Sequence, residues 1–530
     1  MAKSLRNNDI FSIYTLLFLK ILLVTSLAFS QSSDNWMNVY LNGEKIAYYH
    51  ETRGETEFRG QQLLRLDSEM VSKLSRFGIN FEVHQRSIVY LDKQNKPIYS
   101  RYEENMLGSE RTVSVYRKDN QMVTETVIGG TTTLSRQEWN PDMQFDASVL
   151  ETIIQDKLPV GKQYQFSVFS AELGKKFNVS AVVGKTQKIG LGGQWYEATQ
   201  VKLDYQGSQE LSAEYFVMAD GTVVKAAVGN YGMVMEKTNE ADAKSFGSRV
   251  EIADISRVPL NTNINDPTEV TYSRLSVSVT EKTIEEMIPV DARQKWVTPA
   301  NAASGILVIQ SVPEPDKSSL TWPVKLPSKE FSVFTGASPF IESNDLSIIS
   351  TAKAIVGNEK NAWKAVKLLN QWVYQAVTRK GFDTGFASSK QTLESRKGDC
   401  TEHSVLMAAL ARSLGIPAKV AVGLAAVDDG FYYHMWTEVW VGEWIPLDPT
   451  FNETRVNALH LKLAESRTQD DELGDFSLRL LKSLKKIKIT LLEYQADGKT
   501  ITPEVKPSPQ TPEIPGLDLG EQLNKELLLP

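Results

Sequence analysis

The sequence predicts an α+β protein, β-rich over its first half, with helices gathered ahead of a short antiparallel meander in the last third. Three observations carry this. From Trp36 to about Ser256, short alternating runs are broken by Gly, Asn and Asp turns. Capped helix signals begin at Asp345. Between residues 418 and 447, three strand-like runs are separated by glycine-containing turns. A length of 530 residues exceeds one compact domain; at about 150 residues per domain it implies roughly three or four units. With 41% hydrophobic and 23% charged residues the composition is globular. The net charge of -7 leaves no polybasic footprint, so nucleic acid is not an expected partner.

Taken in order, Lys3 and Arg6 precede an apolar stretch from Ile10 to Phe29, and Ala28-Phe29-Ser30 offers small residues at a cleavage-site spacing. Residues 1–30 are therefore expected to be an export signal, with an uncleaved membrane anchor as the alternative because Lys20 interrupts the run. No cysteine follows the signal, which argues against lipid attachment. Residues 31–256 form the β-rich segment, with runs at Trp36 to Leu41, Arg86 to Leu91, Thr112 to Tyr116 and Tyr215 to Met218. Asn42-Gly43 and Asp220-Gly221 are expected hairpin tips, and Phe145 to Gln155 is the one helical stretch. Residues 257–344 read as a small β unit, with strands at Arg274 to Thr280 and Gly305 to Ser311. Helices are expected from Asp345 to Val356, stopped by Gly357, and from Asn361 to Val377. The second has one apolar face of Ala362, Ala365, Val366, Leu369, Trp372, Val373 and Ala376, which is core packing. Residues 345–498, which hold these helices and the meander, are expected to be a further domain. Residues 499–530, rich in Pro503, Pro507, Pro509, Pro512 and Pro515, are expected to be an extended or disordered tail.

Cys400 is the sole cysteine, so no intramolecular disulfide can form. By itself it could be a buried apolar residue, but its neighbours argue for chemistry. Asp399 can cap a helix, Glu402 then falls at the capping-box position, Gly415 sits at the left-handed C-terminal position and Pro417 stops the run. Cys400 becomes the first helical residue, where exposed backbone N–H groups and the helix dipole favour a negative sulfur.

Downstream, Ala418 to Val427 and Phe431 to Val441 are strand-like around Asp428-Asp429-Gly430, and Trp444 to Leu447 follows Gly442-Glu443. Parity decides whether His434 and Asp448 share a face. A two-residue loop would pair Thr437 with Asp448 and separate them. A three-residue loop or a bulge pairs Trp436 with Asp448 and makes His434 and Asp448 diagonal neighbours. The second register is expected, because Gly442 tolerates a left-handed loop position. A thiolate attacking a carbonyl, an imidazole passing the proton and a carboxylate orienting the ring would then be in place.

Gly398-Asp399-Cys400, Leu414-Gly415-Ile416-Pro417-Ala418, His434-Met435-Trp436-Thr437-Glu438-Val439 and Trp444-Ile445-Pro446-Leu447-Asp448-Pro449-Thr450 together resemble the transglutaminase-like superfamily. The resemblance reaches back to about Asp345 and leaves the β-rich remainder outside. It implies a papain-like α+β core, helices packed on an antiparallel sheet and preceded here by β-rich domains. It also implies Cys400 as nucleophile, His434 as base and Asp448 as orienting acid, acting on a peptide or protein substrate. The shared step is a thioester acyl-enzyme. Water as acceptor gives a peptidase or amidase and an amine gives cross-linking, a choice no residue settles. The other class of reading is a non-catalytic envelope binding or assembly protein that retains the fold.

His403, three residues after Cys400, could complete a Cys/His zinc pair, but a second cysteine and the usual spacing are missing. Helix packing is expected instead, with no metal and no cofactor; no acidic cluster resembles a calcium loop. His50, His84 and His460 are expected to be surface or core residues. Trp440 and Trp444 are expected to pack across strands, and Trp436 to screen the His434–Asp448 contact from water.

Overall fold

The computed structural model describes residues 33–504, except 77–78, 108, 208–210, 230–231, 248, 252–256, 265, 281–283, 298–302, 316–319, 381–386, 428–429 and 467–485. The expected export signal, nearly all of the proline-rich tail and the Asp428-Asp429 turn lie outside the described residues. Strand predominates over helix, and the N-terminal region is β-rich. Among the described residues no helix is long and apolar enough to cross a membrane.

Most of the first 250 residues enter one sixteen-stranded sheet. Two sets of strands build it, antiparallel except that Met143–Phe145 lies parallel to Gln163–Ser170. Eight strands from Ser33–Leu41 to Thr131–Glu138 each pair with the one before, and seven more run from Met143–Phe145 to Met233–Thr238. Pairing of Ser33–Leu41 with Met233–Thr238 joins the two sets, Trp36 opposite Thr238. A two-residue strand, Val250–Glu251, adds alongside Gln61–Arg76. The alternation that marks these strands is met by burial: in Gln194–Tyr205, Val201, Leu203 and Tyr205 are buried while Lys202 and Asp204 are exposed. Asn42-Gly43 forms a hairpin tip, and Asp220-Gly221 a turn in which Thr222 N donates to Asp220 Oδ1 at 2.9 Å. The helix Asp146–Gln155 buries Val149, Leu150, Ile153 and Ile154, matching the expected stretch.

A second sheet centres on Val270–Val279, which pairs with Ser304–Gln310 on one side and Ile487–Ala496 on the other. The first two strands were legible in sequence; the third arrives from about two hundred residues downstream, so one sheet draws on segments before and after the helices.

The third sheet runs Val258–Pro259, Gly430–Trp440, Ala418–Val427, His460–Glu465, with Trp444–Leu447 also paired to Gly430–Trp440. Ahead of it come the helices Leu346–Val356, Ala362–Ala376, Ser389–Ser395 and Cys400–Ser413. Asp345 caps the first through Ser347 N at 2.8 Å, and Asn361 caps the second through Lys364 N at 2.9 Å. Helix Cys400–Ser413 is buried on every side from Cys400 to Arg412. It touches the three other helices and the strands Ala418–Val427 and Gly430–Trp440. A helix without a solvent face has little amphipathic periodicity, so its caps mark it better than its pattern does. Thr437 Oγ1 donates to Ser404 O at 3.2 Å and ties helix to strand.

Candidate active site

The start of helix Cys400–Ser413 is built by its caps. Asp399 Oδ1 accepts from Thr401 N at 3.0 Å, and Glu402 Oε2 accepts in return from Asp399 N at 2.9 Å, the expected capping box. Glu402 Oε1 accepts from Ala387 N at 3.0 Å, binding the turn before the neighbouring helix to the same corner. Burial, reinforced by Asp399, holds the Glu402 carboxyl well above the usual range. Gly415 closes the helix at φ +72°. Cys400 therefore occupies the first helical position, where unsatisfied N–H groups concentrate, and it is buried and unbridged.

The strands bring the other two residues to it. Trp440 pairs with Trp444 and Thr437 with Leu447, the register of a three-residue loop; continued one residue, it sets Trp436 opposite Asp448. Gly442 in that loop has φ +105°, a conformation that favours glycine. His434 Nε2 donates to Asp448 Oδ2 at 2.6 Å, with both side chains fully buried. Cys400 lies close enough to His434 for its charge to act on the ring, and His434 Nδ1, the nitrogen not used on Asp448, is buried with no hydrogen-bond partner. All three residues singled out in sequence thus meet in one place.

Electrostatics distinguish the groups. Burial alone would lower the His434 pKa, but the charge and hydrogen bond of Asp448, and then the charge of Cys400, raise it to about 10. Burial opposes ionisation of Asp448, yet His434, together with hydrogen bonds from His434 and His460, holds its carboxyl far below the carboxylate range. The arrangement favours imidazolium beside carboxylate.

Three residues at the site were not singled out in sequence. His460, expected to be a surface or core residue, is buried and contacts the site acid: its Nε2 lies 3.2 Å from Asp448 Oδ2. Phe451 stacks on the His434 ring with centroids 5.1 Å apart. Glu453 closes the loop after Asp448, its backbone N donating to Asp448 O at 2.9 Å and its O accepting from Asp448 N at 2.8 Å. Burial, then Asp448, raises the Glu453 carboxyl to about 8. The signals were weak: a histidine within a strand-like run, and the turn residues Thr450 and Asn452 after Asp448.

The remaining expectations resolve locally. His403 Nδ1 donates to the Asp399 carbonyl at 2.5 Å, so it packs on its own helix. His50 bonds Asp34 at 2.6 Å and stacks on Trp36, while His84 is exposed. Trp440 and Trp444 pack edge to face at 5.7 Å, joined by Phe331 and Phe334. Trp436 is fully buried, 6.5 Å from the His434 ring. His434, Asp448 and His460 offer three metal-ligand atoms within 4.8 Å of one another. Two donors on a tetrahedral zinc lie about 3.3 Å apart, given bonds near 2.0–2.1 Å. The 2.6 Å between His434 Nε2 and Asp448 Oδ2 is shorter and is a hydrogen-bond distance.

Residues 349–449 match the transglutaminase-like superfamily. No curated protein matches the chain. Among solved structures, a candidate cysteine protease from Cytophaga hutchinsonii is 16% identical, covering 45% of this chain and 90% of its own, with a TM-score of 0.28. A β-barrel-like protein of a domain of unknown function from Brucella abortus is 13% identical, over 41% of this chain and 98% of its own, with a TM-score of 0.32. A candidate protease from Parabacteroides distasonis is 9% identical over 66% of this chain and 68% of its own, with a TM-score of 0.17. All three likenesses are distant.

Proposed function

We propose, from a chain that carries a transglutaminase-like domain, that it is an exported cysteine enzyme acting on a peptide or protein amide. Cys400 is the nucleophile, His434 the base and acid, and Asp448 the orienting carboxylate, on a papain-like core in which helix Cys400–Ser413 lies on the antiparallel strands. The observation that carries this reading is the buried His434 Nε2 bonded to Asp448 Oδ2 at 2.6 Å, with Cys400 close enough for its charge to act on the same ring.

The Cys400 thiolate attacks the amide carbon, and the backbone N–H of Cys400 at the helix start stabilises the oxygen as it gains charge. The His434 imidazolium gives its proton to the departing nitrogen as the C–N bond breaks, leaving a thioester. Water or a primary amine then attacks the thioester and loses a proton to His434; the C–S bond breaks and the thiolate returns. Asp448 stabilises the charged imidazole through both steps. Trp436 screens the His434–Asp448 contact from water. Water as acceptor makes the chain a peptidase or amidase, and an amine makes it a cross-linking enzyme.

The test is incubation with a glutamine-containing peptide library, with and without a primary amine, followed by product masses. Cleavage or deamidation without amine incorporation excludes cross-linking. Absence of product with every peptide, together with equal, slow alkylation of Cys400 by iodoacetamide in wild type and His434→Ala, refutes the enzyme reading and leaves a non-catalytic binding or assembly protein.

A further inference from the structure

We propose that His460 is a positioning residue of the site, a neutral imidazole whose Nε2–H holds Asp448 Oδ2 in place and tempers its pull on the His434 proton. The inference rests on the catalytic reading of Cys400, His434 and Asp448 given above.

The geometry is specific. Asp448 has its Oδ1 engaged by Thr450 N at 2.8 Å, while Oδ2 lies 2.6 Å from His434 Nε2 and 3.2 Å from His460 Nε2. An ionised carboxylate only accepts, so the His460 contact is a bond only if Nε2 carries the hydrogen. Two imidazoles therefore donate to one oxygen. His460 is itself held: its strand His460–Glu465 pairs with Ala418–Val427, placing it opposite Ala425. Its backbone N donates to Asn457 O at 3.3 Å, and its ring meets the Trp436 indole at right angles with centroids 5.4 Å apart. Close approach of the two strands depends on Gly423, where a Cβ would lie 1.9 Å from Leu461 O.

The charges facing His460 explain its state. Burial keeps the ring from ionising; Asp448 opposes this, while His434 and Arg293 add to it, and its pKa falls to about 4. Glu453 lies beyond Asp448 on the adjoining loop. A neutral donor strengthens the hold on Asp448 without placing a second positive charge beside His434. It also takes part of the Oδ2 negative charge, since the His460 bond lowers the proton affinity of Asp448. Asp448 can then orient and stabilise imidazolium while leaving its proton free to move to the departing nitrogen.

The test uses the intact protein labelled with 15N-histidine; five histidines keep the spectrum assignable. The expected result is a neutral, Nε2–H tautomer for His460 at pH 6–7, and the Nδ1–H tautomer or an imidazolium there overturns the proposal whether or not any variant folds. In His460→Phe, which fills the space without donating, His434 is expected to titrate about one pH unit higher, the order of effect of one hydrogen bond to a charged group. His460→Gln, whose amide can donate from a similar position, is expected to reverse the shift. A His434 titration unchanged in His460→Phe refutes the role, because loose packing alone would not be rescued selectively by a donor. Iodoacetamide alkylation of wild-type Cys400 keeps the two readings apart: a thiol no more reactive than a free one sinks the catalytic reading, while the His460 tautomer remains measurable.

Discussion

Replacing Asp448 with Asn tests the centre of the proposed mechanism without any knowledge of the substrate. Asp448→Asn keeps an oxygen that can accept from Thr450 N, now 2.8 Å away, but removes the charge 2.6 Å from His434 Nε2. His434 stands at about 10 because Asp448 and Cys400 overcome the effect of burial. Without the carboxylate, burial takes the ring to or below the ordinary value near 6.5. At pH 8 an imidazole with a pKa of 10 is about 99% protonated, and one at 6.5 only about 3%. The fraction of sulfur facing an imidazolium therefore falls about thirty-fold. The amide can also present its NH₂ to Nε2 and force the proton onto the wrong nitrogen, adding to the loss. Because the chain has a single cysteine, iodoacetamide incorporation followed by mass spectrometry reports that one thiol. The expected result is alkylation at pH 8 slowed at least ten-fold relative to wild type, with the two rates converging at strongly alkaline pH, where a thiol ionises unaided. Convergence separates ionisation from access to a buried sulfur. Equal rates at pH 8 would refute the account of His434 as an imidazolium maintained by Asp448.

The same pair predicts the pH dependence of stability. The folded Asp448 value is depressed, so its contribution is present above about pH 3.9 and lost as pH falls through the folded value; the His434 value is raised, so its contribution is full below about pH 6.5 and lost as pH rises towards 10. The urea midpoint of wild type should therefore decline between pH 7 and 10 more steeply than that of His434→Gln, and parallel curves would contradict the assignment. Gly423→Ala should lower the urea midpoint by the equivalent of about 1–3 kcal/mol or more, since its Cβ would strike Leu461 O; an unchanged midpoint would mean the strands part easily. Asp399→Ala, which removes the cap on Thr401 N, should cost about 1 kcal/mol in the same assay and slow Cys400 alkylation by loosening the first helical turn. Leu410→Ala in the fully buried helix should cost about 2–5 kcal/mol while leaving alkylation of the remaining folded protein near wild type.

What could be read in advance follows from how far each signal reaches along the chain. Asp345, Asn361 and Asp399 each satisfy a backbone N–H two or three residues away, so the helix starts they cap were legible from the sequence alone. The register that joins His434 to Asp448 is also local, because it depends on a loop of three residues and one glycine at φ +105°. His460 differs. It reaches Asp448 only after the chain has turned through residues 449–459 and paired a new strand with Ala418–Val427, and no period or cap in that segment encodes which oxygen its ring will meet. Ile487–Ala496 is similar: Ile487, Ile489 and Leu491 alternate as a strand should, but alternation names a face and not a partner, and the partner Val270–Val279 lies on the far side of every helix of the site. The division has a physical basis. Caps and tight turns are decided by single hydrogen bonds formed at small loop-closure cost, whereas these pairings must close much longer loops. The three residues that carry out the proposed chemistry lie within forty-nine positions and were recoverable; the residue proposed to steady them was hidden because long-range closure, not local pattern, brings it in.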